Sequence, residues 1–117
     1  MKVDLNYLRN MSAGNIELVA EMINIFTNQV NEFVNEMEAN YASGEFEKLG
    51  KLAHKAKSSI SIMGLNDLAA DLKKLETIAK QGIEQEKYRD YIDRFIQETG
   101  EAVQELKEIK ENLDIYF

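Results

Sequence analysis

The sequence contains no proline, and its apolar residues recur at intervals of three and four along most of its length. Proline is the residue that most often ends or kinks a helix, and a three-four interval places apolar side chains on one helical face. No segment shows the strict apolar-polar alternation that is typical of a half-buried strand. The pattern therefore predicts an all-α fold built from long amphipathic helices.

Glycines and polar clusters divide the chain into five predicted helices. A short one covers Asp4 to Met11, and four longer ones run from Ile16 to about Ala42, from Glu45 to Met63, from Asn66 to Gly82, and from between Glu84 and Tyr88 to about Leu113. Asn15 and Asn66 are the predicted N-caps of two of them, and Gly64 fits a C-terminal stop. Long helices joined by short loops favour an antiparallel four-helix bundle, here with a short additional N-terminal helix.

Length and composition exclude several kinds of site. The chain has 117 residues, which predicts a single domain over residues 1–117. It has no cysteine and one histidine, His54. Disulfides, thiolate zinc sites and cysteine nucleophiles are thereby excluded. A carboxylate-bridged metal bundle is also excluded, because that site needs a Glu-x-x-His motif on each of two helices. We therefore expect no bound metal.

The charge balance limits the partners. Acidic residues number 21 and basic residues 14, for a net charge of −7. A sequence-independent nucleic-acid binder needs the opposite balance. No apolar stretch approaches the length of a transmembrane helix, and the N-terminus MKVDLNYL lacks the apolar region of a signal peptide. We expect neither nucleic acid nor membrane as a partner, and a cytoplasmic location.

His54 falls on the polar side of the predicted helix from Glu45 to Met63. On a wheel of about 100° per residue, it lies roughly 135° from the centre of the apolar face between Leu49 and Ile60. That angle argues against a histidine buried in the core. An ordinary surface histidine without a function remains an alternative.

The surroundings of His54 favour a site for an anion. No acidic residue occurs from Lys48 to Asn66, although the chain is acidic overall, and a plain solvated charge run is the alternative. The neighbours on the His54 face are small residues or lysines, namely Gly50, Lys51, Lys57, Ser58 and Ser61. A neutral imidazole is a good nucleophile at pH 7, and its attack on a phosphoryl group gives a phosphohistidine. Lys57, three residues on, lies within reach of the phosphoryl oxygens.

The chain lacks the parts of a complete phosphotransferase. It has no GxxxxGK[ST] loop, no Gly-rich nucleotide cradle and no paired metal carboxylates near the histidine. We therefore expect a phosphoryl carrier, which is both product and substrate of its partners, rather than an enzyme.

At these residues the sequence resembles a known family, the histidine-containing phosphotransfer (HPt) domain of two-component phosphorelays. The matching features are the stretch Ala53-His54-Lys55-Ala56-Lys57-Ser58-Ser59, Gly64, Leu68, Leu72 and Leu75-Glu76. The resemblance covers nearly the whole chain. It implies a four-helix bundle with an extra N-terminal helix, a phosphorylated His54, and a Lys57 that helps to hold the phosphoryl group.

The same resemblance implies the partners. They are receiver domains of response regulators and a hybrid sensor histidine kinase, with Mg²⁺ bound to the receiver and no cofactor on this chain. Ser58 stands where the family usually has Gly; it is still small, and its hydroxyl can bond phosphoryl oxygens. The alternative function is a helical adaptor that docks on a kinase or receiver domain without being phosphorylated, which needs neither His54 nor Lys57.

The predicted docking patch surrounds His54, because a receiver must bring its aspartate to the imidazole. It consists of Gly50, Lys51, Ser61 and Ile62, which share the outward side of the helix, with Ser58 beside them. A bulky residue at Gly50 is expected to block transfer and to leave the thermal midpoint nearly unchanged.

Overall fold

The computed structural model describes residues 2–117, and its regular elements are helical. In chain order they are α1 (Asn6–Ser12), α2 (Ile16–Ala42), α3 (Phe46–Ile62), α4 (Asn66–Gln81), α5 (Tyr88–Glu111) and α6 (Leu113–Tyr116), with a 3-10 turn at Gln85–Lys87 before α5. Helices make up 84% of the chain, and no strand occurs within residues 2–117. The predicted all-α fold with a short N-terminal helix is confirmed, and the short α6 is an addition to it.

The long helices lie along one axis of the molecule, which measures 47 × 19 × 19 Å. At about 1.5 Å of rise per residue, α2 alone spans most of the long dimension. Because the loops between α2, α3 and α4 are only three residues long, consecutive helices must run antiparallel. No helix of the described chain is both long enough and apolar enough to cross a membrane.

One of the two predicted N-caps is correct. The side chain of Asn15 accepts a hydrogen bond from the backbone N–H of Leu18 at 3.2 Å, and so caps α2. Asn66 is instead the first residue of α4, and Leu65 before it makes no side-chain cap bond.

Gly64 ends α3 and brings the N-terminal segment onto the turn between α3 and α4. Its φ is +76°, in the left-handed region that favours glycine. A Cβ atom at this position would lie 2.3 Å from the Cβ of Asp4. The backbone N–H of Asp4 donates to the carbonyl of Met63 at 2.9 Å, so the close approach depends on the glycine.

The core runs the length of the bundle and takes apolar residues from each of the four long helices. Its largest fully buried side chains are Tyr88, Phe95, Leu8, Ile23, Met37, Leu49, Ile60, Leu72, Leu75, Ile92, Leu106 and Ile109. The most extensive contact between two helices is that between α3 and α4. This pair carries the residues that the sequence singled out.

Candidate functional site

His54 lies at the midpoint of α3, on the face that points away from the core. Its side chain is 62% exposed, whereas Leu49 and Ile60 on the opposite face of the same helix are completely buried. The exposure predicted from the helical wheel is confirmed. The imidazole is accessible to a second protein.

Glu76 of α4 lies directly beside this imidazole. Its Oε2 is 2.9 Å from Nδ1 of His54 and 2.8 Å from Nζ of Lys80. Its Oε1 is 3.6 Å from Nζ of Lys57. The Glu76 side chain is only 15% exposed, so one largely buried carboxylate lies among three basic groups.

These basic groups fix the charge of Glu76. Hydrogen bonds from Lys80 first and then from His54 lower the pKa of the Glu76 carboxyl to about 2, against the opposite effect of partial burial. The group is therefore an ionised carboxylate at neutral pH, and its oxygens can only accept hydrogen bonds. At 2.9 Å, the ring nitrogen that faces it must carry a hydrogen. The neutral imidazole of His54 thus has its proton on Nδ1 and its lone pair on Nε2, which is left to the open surface.

Lys57 lies one helical turn after His54, on the flank of α3 that faces α4. Its side chain is 29% exposed, and its 3.6 Å distance to Glu76 is longer than a hydrogen bond. The ammonium group is thus held near the imidazole by a loose ion pair.

Three of the residues predicted to surround His54 lie on the open surface with it: Lys51, Ser58 and Ser61 are all exposed. Nζ of Lys51 is 3.6 Å from Glu47, and both side chains are about 70% exposed. An ion pair of this kind contributes little to stability. Lys51 is therefore available to another anionic group.

Ile62 lies at the edge of this face and is only half-buried. With Tyr7 of α1 and Met22 and Ile25 of α2, it lines an apolar groove of about 260 Å³. Ile25 is itself 51% exposed. The outward direction predicted for Ile62 is correct, but the neighbouring helices cover part of the side chain.

Gly50 is not on the open surface, and its predicted place in the docking patch is wrong. It is buried beneath α4, where a Cβ atom would lie 2.8 Å from Cγ of Lys80 and 3.2 Å from the carbonyl oxygen of Glu76. The helical wheel describes α3 alone, and α4 passes close to α3 where Gly50 has no side chain. A bulky residue there must push the two helices apart, so the thermal midpoint cannot stay unchanged.

The sequence analysis missed two residues of the site. The family resemblance includes Glu76 without indicating its contact with His54, and no pattern in the sequence predicts a role for Lys80. Two signals point to them in retrospect: a glycine inside a helix permits a close approach of another helix, and residues four apart, such as Glu76 and Lys80, are neighbours on a helical surface.

The site therefore consists of one exposed imidazole on a helical bundle, with a carboxylate behind it and a lysine beside it. The model of the Hpt domain family matches residues 21–114, which include all of α3, α4 and α5. The chain therefore belongs to the Hpt domain family. Hpt domains are phosphocarrier modules of two-component signalling and interact with receiver domains and histidine kinases. No curated protein and no solved structure matched the chain.

Proposed function

We propose that this chain is a phosphorelay intermediate, which carries a phosphoryl group on Nε2 of His54 between receiver-domain aspartates of two-component signalling proteins. The observation that carries the proposal is the 2.9 Å contact between Nδ1 of His54 and Glu76. It leaves the nucleophilic lone pair on the nitrogen that a partner can reach.

The transfer step balances with groups that the two proteins supply. The Nε2 lone pair attacks the phosphorus of an aspartyl phosphate on the receiver. A P–N bond forms, and the P–O bond to the aspartate breaks with its electron pair leaving on the carboxylate. The ring then carries a positive charge, which the Glu76 carboxylate at Nδ1 stabilises. The reverse of these steps passes the phosphoryl group to the next receiver.

Lys57 and Ser58 are the groups proposed to hold the phosphoryl oxygens. Lys57 is close to the imidazole and only loosely paired, so it can exchange its contact with Glu76 for the incoming anion. Ser58, four residues after His54, is exposed and offers a hydroxyl on the same face. Mg²⁺ on the receiver neutralises the remaining charge, and we propose no cofactor on this chain.

The receiver is proposed to dock on the face formed by α2 and α3, against Lys51, Ser61 and Ile62. The apolar groove beside Ile62 offers contact area at one end of this face. At the other end, the cleft between α2 and α3 is lined by Lys48, Lys51 and Lys55, together with Glu36, Asn40 and Leu52. In an acidic protein these lysines supply the local positive field that steers an acidic receiver and raises its association rate. The receiver of a hybrid sensor histidine kinase is the proposed donor, and a cytoplasmic location stays a prediction.

Incubation with a receiver domain carrying ³²P on its aspartate tests the proposal. We expect label to appear on the wild-type chain in a form that acid removes and alkali does not, since phosphohistidine is acid-labile and phosphoserine is not. The His54→Gln variant is the matched control and should take up no label. A wild-type chain that binds the receiver but takes up no label is the adaptor of the alternative function. Label on the variant places the acceptor at another residue.

A further inference from the structure

Lys80 forms the shortest ion pair of Glu76. Both residues belong to α4, whereas His54 and Lys57 belong to α3. Nζ of Lys80 is 2.8 Å from Oε2, the oxygen that also faces His54. Lys57 is 3.6 Å away and faces the other oxygen, Oε1. The two lysines therefore contact different oxygens of one carboxylate, one tightly and the other loosely.

Gly50 determines where the Lys80 side chain can lie. A Cβ atom at Gly50 would be 2.8 Å from Cγ of Lys80 and 3.0 Å from its backbone nitrogen. Real Cβ atoms do not approach other atoms so closely, which means that the Lys80 stem occupies the space of the missing side chain. Because Gly50 has no side chain, the Lys80 stem can lie against α3 about one turn before His54. From there its ammonium group reaches Glu76, four residues earlier on α4.

We propose that Lys80, seated over Gly50, is a positioning residue for phosphotransfer: it holds Oε2 of Glu76 against Nδ1 of His54 while Lys57 moves to the phosphoryl group. This inference rests on the proposed function. Without Lys80, the departure of Lys57 would leave Glu76 largely buried and paired with the imidazole alone. With Lys80 in place, the carboxylate keeps both its charge and its orientation through the transfer.

The single histidine of the chain gives this inference a direct readout. In protein labelled with ¹⁵N-histidine, the ring nitrogens of His54 give the only imidazole signals, and their chemical shifts report which nitrogen carries the proton. For the unphosphorylated wild-type chain we expect the tautomer with hydrogen on Nδ1. For Lys80→Met we expect a measurable population of the other tautomer.

The transfer rate from a phosphorylated receiver supplies the second readout. Lys80→Met is expected to lower it about two- to fivefold, because the lost ion pair is partly exposed. Lys80→Arg should restore both the rate and the tautomer, since it keeps the charge and the reach. Lys74→Met is the matched control: it removes the same group from α4 at an exposed position two residues before Glu76, on a different face of the helix, and should change neither readout. Gly50→Ala should reproduce Lys80→Met if it folds.

Each other outcome of these measurements has a distinct meaning. An unchanged tautomer and rate in Lys80→Met overturn the inference. An unchanged tautomer with a shorter lifetime of the phosphohistidine also overturns it, because Lys80 then acts on the phosphoryl group itself. If the wild-type chain accepts no phosphoryl group, the proposed function fails, whereas the tautomer of the unphosphorylated variants still decides whether Lys80 positions Glu76.

Discussion

Two charged clusters on this bundle have opposite compositions. At the site, one carboxylate, Glu76, lies among three basic groups. Where α5 meets α2, one guanidinium, that of Arg89 in α5, lies between two carboxylates: its Nη2 is 2.6 Å from Glu38 of α2 and 2.6 Å from Asp93. The guanidinium also lies 5.3 Å above the ring of Tyr41.

The two clusters differ in whether one of their members keeps a reactive atom exposed to solvent. Both carboxylates around Arg89 contact the guanidinium directly, and their hydrogen bonds raise its pKa above the ordinary value. That cluster links α2 to α5 and has no open reactive group. In the Glu76 cluster, His54 uses one ring nitrogen for the carboxylate and exposes the other. A charged cluster therefore becomes a candidate reactive site when one member keeps an exposed nucleophilic atom. The number of charges alone does not distinguish the Glu76 cluster from the Arg89 cluster.

Glu76→Gln tests this comparison and is the substitution with the largest expected effect on the rate of phosphotransfer. The neutral amide no longer stabilises the positive ring, so we expect phosphotransfer to slow by roughly 10- to 100-fold. Rapid-mixing kinetics with a phosphorylated receiver measure it. Glu38→Gln makes the same change in the Arg89 cluster and should alter the rate less than about twofold. Equal losses in both variants would mean that the clusters do not differ in function.

Lys57→Glu examines the mobile cation of the Glu76 cluster. A carboxylate beside the phosphoryl oxygens repels them, and we expect transfer to slow by about tenfold or the phosphohistidine to decay faster. Lys57→Ala should have a smaller effect and leave the thermal midpoint almost unchanged. The control is Lys107→Glu, which changes the charge equally at an exposed position of α5. Transfer at the wild-type rate in Lys57→Glu would contradict the electrostatic role of Lys57.

The helices and the exposure of His54 could be predicted because they depend on spacing within one segment. The three-four interval of apolar residues defines the faces of α2 to α5, and the angle of His54 from Leu49 and Ile60 places it outside. The contact of His54 with Glu76 could not be predicted in this way, since it joins residues 22 positions apart on two helices. Gly50 shows the same limit: its surroundings depend on how closely α4 approaches α3.

The low pKa of Glu76 predicts a pH dependence of stability. Its folded pKa of about 2 lies below the ordinary value of 4.5, so the carboxylate stabilises the fold fully above pH 4.5 and loses this contribution as the pH falls towards 2. We expect the difference in unfolding free energy between wild type and Glu76→Gln to shrink by about 1–3 kcal/mol over that range. Urea titrations at pH 7, 5, 4 and 3 measure it.

Glu32→Gln, at an exposed position of α2, is the control for the acid titrations. It removes the same charge away from the basic groups of the site, so a change with pH that both variants share would not come from the Glu76 cluster. A difference for Glu76→Gln that stays constant from pH 7 to pH 3 would show that the basic groups do not hold the carboxylate ionised.

Lys51→Glu tests a third kind of charged group, an exposed ion pair. It is the substitution with the smallest expected effect on the interaction with the receiver. Lys51 and Glu47 are both about 70% exposed and 3.6 Å apart, so neither member is fixed as in the two clusters. If Lys51 steers the receiver, charge reversal should lower the association rate about two- to fivefold at low salt and leave the rate of phosphotransfer within the complex unchanged. The effect should fade at 0.5 M salt, where screening acts over about 4 Å.

Lys107→Glu again carries the same change of net charge, so a loss common to both variants would reflect overall repulsion between acidic proteins. A loss confined to Lys51→Glu locates the docking surface on the His54 face, and the absence of any loss would move it elsewhere.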